Sequence, residues 1–221
     1  MAAFVAEFIG TFALIFIGAG SIIASPTAPG VMGTLVGIAL AHGLTIAVMA
    51  SATGHVSGGH LNPAVTIGML TTGRIDATKA AGYIVSQVLG AIVAALLLTI
   101  TMPAEAVTAA KLGTPLLAPN VGIGAGIILE AITTFFLMFV IFGTAVDKRG
   151  PSMGALFIGF TVALDILAIG PLTGAAMNPA RSIGPALIGG HMDNFWVYWV
   201  GPIIGAVVAA LVYHNVLLKK D

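Results

Sequence analysis

The sequence predicts an all-α integral membrane protein of six transmembrane helices plus two re-entrant half-helices, arranged as an inverted repeat. Three observations predict it. The 221 residues are 58% hydrophobic and only 7% charged, with a mean hydropathy of +1.10. A soluble domain carries about 25% charged residues, so a water-exposed surface cannot be built from this chain. Apolar stretches near or above the roughly 18-residue spanning threshold recur along it. Asn-Pro-Ala occurs twice, as Asn62-Pro63-Ala64 and Asn178-Pro179-Ala180, each heading a short apolar segment.

Six spans are expected, at about 3–24, 31–52, 79–101, 122–146, 152–170 and 195–218. The first could pass for a signal peptide, but it lacks a basic leading region and contains Glu7, so it reads as a span of the mature protein. The second holds a lone His42. After it comes irregular backbone at Val56–Leu61 and a half-helix at 63–72. The third span begins at Lys79. Residues 102–121, with Pro103, Gly113, Pro115 and Pro119, read as a linker. The fourth span carries Glu130 and the fifth Asp165, which faces either a neighbouring helix or the outer vestibule. A second irregular stretch, Leu172–Met177, leads into a half-helix at 179–188 that includes Arg181. The sixth span opens with Phe195, Trp196, Tyr198 and Trp199, which fit an interfacial aromatic belt. His55, His191 and His214 read as loop or interfacial residues.

The halves match in order. Ala6-Glu7-Phe8-Ile9 answers Leu129-Glu130-Ala131-Ile132 and Gly33-Thr34-Leu35 answers Gly154-Ala155-Leu156. The Asn-Pro-Ala segments follow, then Leu89-Gly90-Ala91 against Ile204-Gly205-Ala206. The offsets are 123, 121, 116 and 115. This makes 1–221 a single domain with a first repeat at 1–101, a connecting outer loop at 102–121 and a second repeat at 122–221. Three spans per repeat turn the second upside down, which places the functional site at the repeat interface near the bilayer midplane. The many glycines inside the spans suit close helix packing. Arg74, Lys79, Lys148, Arg149, Lys219 and Lys220 fall on one side and Lys111 alone in an ordinary loop on the other, so both termini are expected in the cytoplasm of a multi-pass cell-membrane protein.

Each half-helix is about ten residues, or roughly 15 Å, half of the ~30 Å hydrocarbon core. Two must therefore meet from opposite faces. Asn is a favoured N-cap whose side-chain oxygen accepts a first-turn N–H, and Pro suits the next position because its missing N–H would be unpaired there. The Asn amide is left to donate outward, and each helix start presents roughly half a positive charge. A water at that point turns its oxygen to both Asn residues, which breaks a single-file hydrogen-bond chain and repels cations. Glu7 and Glu130 hold matching places in the first span of each repeat. They read as acceptors for loop N–H groups that would otherwise be unsatisfied, rather than as a proton relay.

Ser57-Gly58-Gly59-His60-Leu61-Asn62-Pro63-Ala64-Val65-Thr66 and Gly174-Ala175-Ala176-Met177-Asn178-Pro179-Ala180-Arg181-Ser182 resemble the paired signature of the major intrinsic protein family, the aquaporins and glycerol facilitators. The resemblance covers essentially the whole chain. It implies one pore per subunit, a homotetramer, and an acceptor ladder of the carbonyls of Gly58, Gly59 and His60 and of Gly174, Ala175 and Ala176. It also implies a selectivity filter of His42, Ile166, Ala175 and Arg181, similar to that of plant tonoplast intrinsic proteins, which pass water with ammonia and sometimes urea. The 102–121 loop has no histidine, where some ammonia-permeable members carry one. Ser182, where facilitators typically carry Asp, and the Tyr198-Trp199 pair look like the water-channel type.

The expectation is a passive channel for water and other small neutral solutes, ammonia and urea among them, that excludes ions and protons. It is not an enzyme, and no cofactor, metal or nucleic-acid partner is expected; its partners are the solutes, the lipid bilayer and its own copies. A glycerol-type facilitator and an ion-coupled secondary transporter are the alternatives.

Overall fold

The computed structural model describes residues 1–25 and 34–218. Gly33, the start of the span expected from residue 31, and Lys219 and Lys220 lie outside the described residues. The helices are, in chain order, α1 (Ala2–Ala24), α2 (Leu35–Ser57), α3 (Pro63–Thr71), α4 (Ala77–Thr101), α5 (Ala104–Ala109), α6 (Ile123–Ile141), α7 (Gly154–Thr173), α8 (Pro179–Gly189) and α9 (Val197–Val212). Among the described residues six are long and apolar enough to cross a membrane, α6 and α9 being extended by π-helical turns at Phe142–Val146 and Tyr213–Leu217. The half-helices α3 and α8 are the two segments headed by Asn-Pro-Ala.

Local chemistry sets the ends. Thr34 caps α2 and Asp76 caps α4, each side chain accepting an N–H of the first turn, from Gly37 and from Lys79. Gly58 and Gly174 close α2 and α7 with φ of 91° and 86°, a left-handed conformation that glycine adopts without steric cost. The helices run further than expected, so irregular backbone is confined to 58–61 and 174–177 instead of starting at Val56 and Leu172. Less backbone is thereby left to satisfy at mid-membrane depth.

Packing repeats with two-fold logic. Helix α1 packs on α4 as α6 packs on α9, and α1 on α2 as α6 on α7, while α2 and α7 pack on each other across the repeat interface. The half-helices cross over: α3 lies against α9 and α8 against α4. Two glycine slots allow the close packing of α1 on α4 and of α6 on α9. A Cβ on Gly90 would stand 2.4 Å from the Phe8 carbonyl oxygen, and one on Gly205 would stand 2.0 Å from that of Ala131. These are the same contact in both repeats. The exterior is apolar, with Val48, Phe136 and Leu164 more than half exposed, whereas Glu7, Gln87, Glu130 and Thr134 are fully buried. That inversion of a soluble protein's pattern suits a lipid surround.

The 102–121 segment is more than a linker. It folds into α5 and a 3-10 turn at Lys111–Gly113, with left-handed φ at Lys111, Leu112 and Gly113. That turn carries Gly113 to within van der Waals contact of Ala19 on α1, and the Ala118 N–H donates to the Leu172 carbonyl at 2.9 Å.

Candidate functional site

Asn62 and Asn178 start the two half-helices and meet at the repeat interface. The Asn62 Oδ1 accepts the Ala64 N–H at 2.8 Å, and the Asn178 Oδ1 accepts those of Ala180 and Arg181 at 3.0 and 3.3 Å. Pro63 and Pro179 occupy the first helical position in each, with no N–H to leave unpaired. The amides then cross: Asn62 Nδ2 donates to the Met177 carbonyl at 2.8 Å and Asn178 Nδ2 to the Leu61 carbonyl at 2.9 Å. The amide is thus only half free, because one hydrogen is spent on the opposite repeat and one remains.

Glu7 and Glu130 anchor the loops before the caps. Glu7 accepts from Ser57 Oγ, the N–H groups of His60 and Leu61, and Gln87 Nε2, all at 2.6–3.0 Å. Glu130 accepts from Thr173 Oγ1 and the N–H groups of Ala176 and Met177 at 2.7–3.0 Å. Ser57 Oγ and Thr173 Oγ1 accept the next N–H groups in line, of Gly59 and Ala175. In a trans peptide the C=O of one residue points opposite to the N–H of the next. With those N–H groups turned to the glutamates, the carbonyls of Gly58, Gly59, His60, Gly174, Ala175 and Ala176 point the other way. Leu61 and Met177, both with φ of 51°, reverse the chain so that their carbonyls reach the opposite Asn.

A cavity of about 570 Å³ lies on that carbonyl side. Its walls include Gly58, Gly59, His60, Asn62, Ala175, Ala176 and Asn178, with Arg74, Thr144 and Ser152 at one end and His42, Ile166 and Arg181 at the other. Gly174 is not part of the lining, and Pro63, Ala64, Pro179 and Ala180 are buried behind it. Arg181 is held in place by protein: Nη1 donates to the Gly113 carbonyl at 2.9 Å and Nε reaches His42 Nε2 at 3.4 Å. His42 Nδ1 lies 2.9 Å from the Ile38 carbonyl, which only accepts. That assigns the proton to Nδ1 and makes Nε2 the acceptor for Arg181. His42 therefore brings no free donor to the cavity, whereas Arg181 keeps three of its five N–H groups. Among the described residues no group of His, Asp and Glu side chains is placed to hold a metal ion.

Several participants were not legible in the sequence. Tyr198, expected in an aromatic belt, is 1% exposed and donates to the Thr173 carbonyl at 2.8 Å. Tyr83 does the same for Ser57 at 2.7 Å. The offset of 115 that relates them could have revealed both. Gln87 bridges Glu7 and Thr66, at 2.7 and 3.0 Å. Asp165 is 6% exposed within the helix packing, not in a vestibule, and among the described residues its Oδ2 has no partner. His55 is exposed at the end of α2, while His191 and His214 are half-buried.

At the Arg74 end, the Arg74 guanidinium stacks 5.3 Å over the Phe142 ring. Nearby, Arg149 forms a forked ion pair with Asp147 and donates from Nη2 to the Leu217 carbonyl at 2.8 Å. Tyr213 Oη donates to the same carboxylate at 3.3 Å. Hydrogen bonds from the Arg149 side chain and N–H hold the Asp147 carboxyl well below the usual carboxylate range.

The family model of the major intrinsic proteins matches residues 1–213. The chain is 46% identical to aquaporin TIP4-4 of Zea mays, over 99% of this chain and 87% of that one. It is 40% identical to aquaporin TIP2-3 of Arabidopsis thaliana, over 98% and 87%. The X-ray structure of the aquaglyceroporin from Plasmodium falciparum superposes with a TM-score of 0.85 at 29% identity, covering 98% of this chain and 96% of that one. The chain belongs to the major intrinsic protein family, as an aquaporin-type membrane channel of the water and small-solute class.

Proposed function

We propose that this chain is a passive channel for water and other small neutral solutes, ammonia and urea among them, that excludes ions and protons. The observation that carries the reading is the pair of half-helix N-termini facing each other with crossed Asn amides on the cavity wall. Each end presents roughly half a positive charge, and each Asn has one N–H left to orient a passing oxygen. The carbonyls of Gly58, Gly59 and His60 on one side of the Asn pair, and of Ala175 and Ala176 on the other, supply acceptors along the path. Ile166 leaves an apolar wall at the His42 end, and the free N–H groups of Arg181 serve one solute at a time while repelling cations. His42, Ile166, Ala175 and Arg181 act as the selectivity filter. Glu7 and Glu130 support the loops, and among the described residues no carboxylate lines the cavity as a coupled transporter requires. The active form is a homotetramer with one pore per subunit and both termini in the cytoplasm.

Glycerol is the competing solute, because the Plasmodium relative is an aquaglyceroporin. The test is stopped-flow light scattering of reconstituted vesicles with water, ammonia, urea and glycerol, paired with planar-bilayer recording. Fast water flux, slow glycerol entry and no ionic current are expected. Ionic current through the parent protein, or glycerol entering as fast as urea, would refute the reading.

A further inference from the structure

The residue that decides where the His42 ring sits is on another helix. A Cβ built on Gly18 of α1 would stand 2.6 Å from both Cδ2 and Nε2 of His42 and 3.0 Å from Cε1. Three ring atoms, not the tip of a flexible chain, occupy the space that a side chain would take. Nε2 is also the atom that receives Arg181. On its other side the ring lines the cavity. The neighbours Ile15 and Ala19 are 0% exposed, so α1 has no slack with which to retreat.

Helix packing common to the two repeats does not demand this glycine. Gly90 and Gly205 fill the same slot in both halves, but the offsets of 123 and 121 carry Gly18 and His42 onto Ile141 and Ala163. The small and large members have changed places. Ile141 lines the cavity, toward its opposite end.

We propose that Gly18 is a specificity-determining positioning residue: its missing side chain is the slot that holds the His42 ring off the channel axis and against Arg181. This rests on the filter reading above. A methyl group at 18 drives the ring toward the cavity and breaks the contact to Arg181 Nε, leaving the guanidinium tethered by Gly113 alone. The passage narrows and its donors move, so solutes larger than water lose most.

The test is a mutant cycle in reconstituted vesicles with Gly18→Ala, His42→Ala, the double mutant, and Gly20→Ala as control. At Gly20 a Cβ meets Leu98 Cδ2 at an ordinary 3.4 Å. Gly18→Ala should lower urea and ammonia flux relative to water by about tenfold, the scale a single methylene commands in a fitted pocket. In the His42→Ala background the same change should alter the ratios by less than about twofold, the scatter of independent sites. Gly20→Ala should match the parent. An equal effect with the ring absent, or parental ratios in Gly18→Ala, would overturn the proposal. If Gly18→Ala does not fold, thermal unfolding of the double mutant decides: rescue by removal of the ring supports the slot, and an equally unstable double mutant refutes it. That melting comparison needs no transport, so failure of the slot is distinguishable from a parent that passes no water.

Discussion

In the re-entrant loops single hydrogen bonds hold strained backbone in place. Ala175 sits at φ 44°, a left-handed conformation that costs a residue with a Cβ roughly 1–2 kcal/mol. Bonds from its own N–H to Thr173 and from Ala176 to Glu130 hold it there, among the residues that line the cavity. The chain has no cysteine, so mercurials should leave its water flux unchanged, and Ala175→Cys should be blocked by them and restored by thiol. Asn178→Asp replaces an amide that donates to the Leu61 carbonyl with a carboxylate oxygen that repels it. It should lower the melting temperature and admit a cation current, both readable beside the parent in bilayers. The Asn pair was legible because a dipeptide cap repeated in register has few other uses. The donor state of His42 was not. It depends on which carbonyl the other nitrogen meets, and a motif count carries no such information.

At the scale of elements, the re-entrant loops stand on their glutamates. Removing either acceptor leaves buried N–H groups unpaired, at about 1–3 kcal/mol each. Glu7→Ala takes an acceptor from four donors and Glu130→Ala from three, two of them backbone N–H groups in each case. Both should lose thermal stability, Glu7→Ala more, and neither should gain a pH-dependent flux; pH-coupled uptake lost from a stable Glu130→Ala would instead signal proton transport. The spans, half-helices and carboxylate pair could be read from apolar length, cap chemistry and matched position. The π-helical turns that extend α6 and α9 could not, nor could the 3-10 turn at Lys111–Gly113. Nothing in a run of apolar residues distinguishes one ladder of backbone bonds from the next, and the chain reversal at 111–113 depends on contact with Ala19.

For the whole molecule, the Asp147–Arg149 pair ties the connection between α6 and α7 to the end of the last span through the Leu217 carbonyl. A carboxyl whose folded pKa is depressed contributes stability that is complete above its ordinary value, near 3.9, and fades as pH falls toward the folded one. The hydrogen-exchange protection factor at 213–218, the intrinsic rate divided by the observed rate at each pH, should therefore stay constant from neutral pH to the ordinary carboxylate range and fall only below it; Arg149→Gln should lower it at neutral pH. The pairing of the halves was legible from the offsets, whereas the part played by 102–121 was hidden because its contribution is a backbone carbonyl, which any residue could supply. The crossed half-helices also bear on biogenesis. Helix α3 has its partner in α9 and α8 has its partner in α4, and each Asn amide is satisfied only by the other repeat. A ribosome delivering the first three spans releases a re-entrant segment held by Glu7 and α4 but lacking its α9 face until the final span arrives, so the pore closes late. Cutting the chain between the exposed residues Pro119 and Asn120 should give two fragments that conduct water when co-expressed and are each degraded when made alone.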